Sequence, residues 1–402
     1  MAYQNIGSSP RFFIDNYQYL RAMGLDPVEY INETEEFNTF ETDDTLQTPL
    51  NNPTAFTLSP SQTKTFSRQS GGAETMRFFI PCGEMISGMD FNKGNMKWYT
   101  ALLNHNLGEC GGKIQNQMFM PYVDYLNNIG VNGTDLNPIL NRVSLLDDVS
   151  LNGSTIYYTN LVPYPYNNPN DDTDLLSSNH RYTGFRLWSP FVPAGETDDG
   201  IDMNYSDFRV GAISSGVMYT MPHAPDLELS LFIENDGYST TQTIGGSSLT
   251  NINYTGAPSW KNGDIYMNPF GVGEGSTEPH LNGARRNGRR VWTLKFSYLS
   301  DKDIFSSNYS YNNHAETLTS YQSLDIDTET RQFEYNMFTD DSFVAQVWNK
   351  TCGGALPFIF QPDSENNNPD QFCIAKFDQD SLKISQEAHT VYSFSIKIRE
   401  VW

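Results

Sequence analysis

The chain has 402 residues, 38% hydrophobic and only 18% charged, with 48 acidic against 25 basic side chains and a formal net charge of −23. That length supports two or three domains. Such acidity argues against nucleic acid or anionic membrane as partner, because neutralising phosphates takes clustered lysine and arginine; the plainer use of the charge is solubility.

No run approaches the ~18–20 consecutive apolar residues of a membrane span. The opening MAYQNIGSSPRFF has no charged segment followed by an apolar one, so no secretory signal is expected. Cys82, Cys110, Cys352 and Cys373 are sparse and form no CxxC pair. They are expected to be free, buried thiols of a protein folded in a reducing cytoplasm.

Residues 1–75 read as an N-terminal arm. Phe12 to Leu25 (FFIDNYQYLRAMGL) predicts a short helix ending at Gly24, with Pro27 stopping it. The acidic stretch that follows has no sustained periodicity and cannot bury a core of its own. Its phenylalanines, Phe37, Phe40, Phe56 and Phe66, favour an extended arm ordered by a partner.

Residues 76–203 show short apolar runs broken by Gly-Gly, Asn-Gly and Asn-Pro turn signals. They predict an antiparallel, jelly-roll-like β-sandwich. Residues 204–402 predict a second one. Leu227 to Ile233, Val291 to Leu299 and Val391 to Trp402 each alternate apolar with other residues. That period of two is the signature of a half-buried strand. Leu227, Leu229, Leu231 and Ile233 are expected on one face, as are Trp292, Leu294, Phe296 and Tyr298, and Tyr392, Phe394, Ile396 and Ile398.

Between the first two of these strands lies a long Gly- and Pro-rich insertion. Loops of that length are usually functional or touch a neighbour. Further on, SFVAQVWNKT spaces Phe343, Val344 and Val347 as a short helix, capped by Asp341 or Ser342 and ended by Gly353-Gly354. LPFIF then resumes as strand. The fold class is therefore all-β: two antiparallel sandwiches preceded by an extended arm with a short helix.

Chemistry-bearing motifs are sparse. The six histidines, His105, His180, His223, His280, His314 and His389, form no zinc pattern. There is no G-x-S-x-G and no phosphate-cradling loop. DDTD at 171–174, the acidic stretch at 197–202 and DQD at 378–380 lack EF-hand spacing and suit solvated turns. No cofactor, metal or catalytic residue is expected, and the chain is not expected to be an enzyme.

One cluster reverses the local sign of charge: Arg285, Arg286, Arg289 and Arg290, four arginines in six residues. It suits a loop docking onto an acidic neighbour, another copy of this chain included. It equally suits arginines that pair with local Asp and Glu. On the first reading, charge reversal of all four blocks assembly and leaves the monomer folded.

Three stretches carry a resemblance: SDFRVGAISSGVMYTMPHAPDLELSLFIENDG (206–237), GRRVWTLKFSYLSDKDIF (288–305) and 341–402. Their order resembles the β-sandwich of distal tail (tail-hub) and minor tail proteins of tailed bacteriophages: a W-x-L-x-F-x-Y-L strand, a helix, a Pro-Phe strand and a last strand. KWYTALLNHNLGECGGKI (97–114) resembles a strand and turn of galactose-binding-like jelly rolls in phage structural proteins. The resemblance implies a structural virion protein of a tail hub, baseplate or tail-adaptor ring, made in the bacterial host cytoplasm. Its partners would be copies of itself in a ring and other tail proteins (tube, hub, fibre or baseplate). The alternative is a module that binds or cleaves host-surface glycans, with Trp188, Trp260 and Trp348 as stacking candidates.

Overall fold

A computed structural model describes residues 8–24, 58, 64–66, 75–81, 96–105, 113–119, 145–146, 153–159, 182–188, 208–227, 230–235, 238–252, 288–305, 342–367 and 371–401. Its centre is a ten-stranded sheet. From one edge it runs Ser230–Glu234 (β11), Arg289–Ser300 (β14), Val391–Glu400 (β18), Cys373–Phe377 (β16) and Phe358–Gln361 (β15). It continues with Arg11–Asp15 (β1), Ala212–Thr220 (β10), Met96–His105 (β4) and Gly153–Thr159 (β7). Ile384–Ala388 (β17) pairs with β18 off this path. A four-stranded sheet holds Thr75–Pro81 (β3), Tyr182–Trp188 (β8), Lys113–Phe119 (β5) and Leu145–Leu146 (β6). Lys64–Phe66 (β2) pairs with Phe208–Val210 (β9), and Tyr238–Gln242 (β12) with Ser248–Ile252 (β13). Among the described residues every strand pair is antiparallel, as the alternating patterns lead one to expect for an all-β chain.

The ten-stranded sheet draws on all three expected segments: β1 from 1–75, β4 and β7 from 76–203, the rest from 204–402. The sheet is thus continuous across the expected boundaries. The middle of it is buried on both faces. Phe12 and Ile14 enter one core cluster with Trp292, Phe360, Phe377 and Ile398. Phe13, between them, enters a second cluster with Tyr99, Met218 and Ile359. A strand buried on both faces reads as an unbroken apolar run, not as an alternation.

That is why the expected helix over Phe12–Leu25 is half right. RFFID is a central strand, β1, paired to β10 and β15. The helix is only Asn16–Ala22 (α1), capped by Asp15, whose Oδ1 accepts from the backbone N–H of Tyr17 at 2.8 Å and of Gln18 at 3.2 Å. The first described residues of the expected arm therefore lie in the heart of the core. Opposite Asp15 stands Gly216, where an added Cβ would fall 2.0 Å from the Ile14 carbonyl oxygen. Only glycine permits so close a strand approach.

The second expected helix is a π-helical turn, Val344–Asn349. Ser342 Oγ accepts from Ala345 N–H at 3.3 Å, which is the cap expected there. Phe343 and Val347 are fully buried in the larger cluster. Cys352, Gly353 and Gly354 all take positive φ and end the turn, and β15 follows from Phe358.

Burial raises the pKa of Asp15 to about 6, against which the hydrogen bonds from Ser214, Gln18 and Tyr17 act. The folded protein therefore holds this proton up to about pH 6, while the unfolded chain releases it near 3.8. Between those values the native state binds more protons, so stability falls as pH rises, by about 3 kcal/mol at most. Asp15→Asn keeps a good N-cap and has no such proton. Urea unfolding at pH 4.5 and pH 7.5 is expected to show a smaller loss with rising pH in the variant than in the wild type. An equal pH dependence in both would exclude Asp15 as its source.

Candidate interaction surface

β14 is the strand on which the surface is built. Its Trp292, Leu294 and Phe296 face the larger core, as their spacing predicts. Its register with β18 shifts between Phe296 and Leu299. There Tyr298 takes φ 62° and is 86% exposed, and Leu299 fills the buried place instead. A bulge re-aims the side chain that strict alternation would have buried.

Arg290 does not reach solvent. It is 1% exposed, and its Nη2 lies 3.3 Å from Glu400 Oε1. Its Nε and its backbone N–H donate to Glu400 Oε2 at 3.3 and 3.0 Å, and Nη2 also donates to the Phe372 carbonyl at 3.2 Å. The guanidinium lies 4.9 Å from the centroid of the Trp292 ring. Of the two readings of the arginine cluster, local pairing describes Arg290. Arg289 is half-buried beside it, opposite Glu234 of β11. Arg285 and Arg286 lie outside the described residues. Charge reversal at Arg290 would bury two carboxylates together, so reversal of all four is no clean test of docking.

Beyond β14 lies β11, which pairs with no other strand among the described residues. Of the expected strand from Leu227, the described part is paired over Ser230–Glu234; Leu229 lies outside the described residues, and the other three residues of the expected buried face are not buried. Leu231 is 37%, Phe232 56% and Ile233 59% exposed, and Leu227 is wholly exposed. Leu231 and Ile233 sit opposite Trp292 and Arg290 at the rim of the larger core, and Phe232 points to the other face. Glu234 is held by Arg399 at 2.9 Å.

Next in the chain comes the β12–β13 hairpin, inside the expected long insertion. Its loop closes through Thr243 N–H to the Ser247 carbonyl at 2.8 Å, with Gly246 at φ 82°. This is the three-residue hairpin that needs glycine in the left-handed position. Both strands are exposed on both faces, with Tyr238 at 59%, Leu249 at 61% and Ile244 bare at the tip. The β-branched run YSTTQ and the Gly-Gly that follows were its signals in the sequence. Residues 238–252 carry no charged side chain at all.

Other candidates fall elsewhere. Trp348 is partly buried and packs against the larger core, its ring 5.3 Å from that of Phe377. The side chain of Trp188, and Trp260 entirely, lie outside the described residues, as do the acidic runs at 171–174 and 197–202. Asp378 forms an ion pair with Lys397 at 2.6 Å. No group of three potential metal ligands occurs among the described residues. His105 is buried, and burial lowers its pKa to about 4. Cys373 is buried as expected, but Cys352 is exposed, because it sits in the turn that leaves the π-helix. Cys82 and Cys110 lie outside the described residues. Lys350, fully buried and bonded to Gln346 Oε1 at 2.5 Å, carried no sequence signal of burial.

Comparison with protein-family models, with curated proteins and with solved structures finds no match.

Proposed function

We propose that this chain is a structural subunit of a tailed-bacteriophage virion, placed in a tail hub, baseplate or tail-adaptor ring. The observation that carries the reading is the surface from Leu227 to Leu249: an open sheet edge and an uncharged hairpin, with seven large apolar side chains exposed on a chain of net charge −23. Exposed apolar surface on this scale marks a protein contact. A two-stranded hairpin that packs on nothing among the described residues is marginal in water, so a neighbour that covers it gives it a reason to persist.

The resemblance to tail-hub proteins rests on 206–237, 288–305 and 341–402. Those stretches supply β9, β10, β11, β14, the π-helical turn and β15 to β18; β11, β14, β18, β16 and β15 make the β11 end of the sheet, and β10 lies beyond β1. Head-to-tail contacts that close into a ring are the usual way such subunits assemble. In that setting the acidity keeps copies and nucleic acid apart except where the surface is uncharged.

Antibody labelling of intact virus particles tests the reading. Gold particles are expected at the tail. Label on the infected cell but never on particles would overturn it, and binding to a glycan array would then favour the glycan-directed alternative.

A further inference from the structure

We propose that the occupant of the β11 edge is the same strand of a second copy, paired antiparallel about a twofold axis at Phe232. This rests on the reading of that edge as an assembly surface, and names its partner. Edge strands present every second N–H and C=O to the outside and are normally blunted by proline, lysine, a bulge or an inward charge. The five residues SLFIE of β11 carry none of these devices. Their single charge, Glu234, is already neutralised by Arg399.

Self-pairing centred on Phe232 is complementary residue by residue. Phe232 meets the partner's Phe232 on one face. Leu231 meets the partner's Ile233 on the other, which joins the exposed rims of the two large cores. Glu234 falls opposite the partner's Ser230, so no like charges face each other. The three apolar side chains Leu231, Phe232 and Ile233, with roughly 100 Å² open on each, make ~300 Å² per copy, or ~600 Å² in all. An area of that size belongs to weak, transient interfaces, so the dimer is expected to be strongly concentration-dependent. Strand addition of this kind draws its affinity from main-chain hydrogen bonds and its register from alternate side chains. A twofold contact is isologous, so it is additional to the head-to-tail contacts of a closed ring.

The test uses the full chain. Phe232→Cys treated with a short bismaleimide should give a dimer whose only new cross-linked peptide joins position 232 to position 232, absent from the wild type. Phe232→Lys, at an exposed site, should melt like the wild type and weaken dimerisation by at least about tenfold. Oligomers that survive Phe232→Lys and yield no 232–232 cross-link would overturn the self-pairing and leave the assembly reading standing. A strict monomer at every concentration would overturn the self-pairing too. Labelling of virions is independent of both results and is the measurement on which the assembly reading itself fails.

Discussion

Glu400→Ala is expected to destabilise the fold by about 3–5 kcal/mol, the usual effect of breaking a buried ion pair by removing one partner. The site is dry: the two side chains are 2% and 3% exposed. Without Glu400, Arg290 loses its carboxylate while the Phe372 carbonyl and the face of Trp292 stay beside it. The backbone N–H of Arg290 also loses its acceptor. Arg290→Met together with Glu400→Met should recover most of the loss, because well-packed apolar replacements of a buried pair are often neutral. Denaturant unfolding of the two variants checks this; a loss below about 1 kcal/mol in Glu400→Ala would show that the pair does not hold β14 to β18. The stake is more than local. Arg290 sits opposite Ile233 in the β11–β14 register, so the pair anchors the strand that carries the open edge.

Lys350→Met is expected to stabilise the protein at neutral pH, by a few kcal/mol. Lys350 is fully buried and donates to Gln346 Oε1, and burial lowers its pKa from 10.5 to about 7. Between those values the unfolded chain binds the proton and the native state does not, so wild-type stability rises with pH from about 7 to about 10.5. Below pH 7 the whole penalty is present: a shift of this size corresponds to about 3–5 kcal/mol. Methionine fills a similar volume and needs no proton. Unfolding followed at pH 6 and pH 10 should give a large gain for the variant at pH 6 and little at pH 10. Destabilisation by Lys350→Met at pH 6 would mean that the ammonium has a charged partner. The residue sits at the end of a π-helical turn, a geometry common at functional positions.

Much of this was legible in the residues. The alternation of Val291–Leu299 is a real strand, and that from Val391 is one as far as Glu400, Trp402 lying outside the described residues; Phe394, Ile396 and Ile398 point into the core as spaced. Ser342 caps where a cap was expected. The failures have separate physical causes. RFFID lacks alternation because both its faces are buried, and such a run is ambiguous with a helix. Tyr298 breaks its pattern at a bulge, which no periodicity announces. Leu231 and Ile233 keep the period of two but lie at the rim of the core, where alternation survives and burial does not. The arginine cluster could not divide itself: that Arg290 turns inward follows from Glu400, which stands 110 residues away in sequence and opposite only in the sheet. The open β11 edge was equally invisible, since being last in a sheet is a property of topology and not of the strand.

The central claim is that the surface from Leu227 to Leu249 is made to be covered by another protein subunit. Hydrogen exchange of the chain, alone and in particles from which it was isolated, tests that claim most directly. Amides of β11 and of the β12–β13 hairpin are expected to exchange fast in dilute free protein, since their backbone bonds are open to solvent. In the assembled particle they should become as slow as those of β14 and β18. Equal exchange in both states, with protection gained elsewhere instead, would contradict the account.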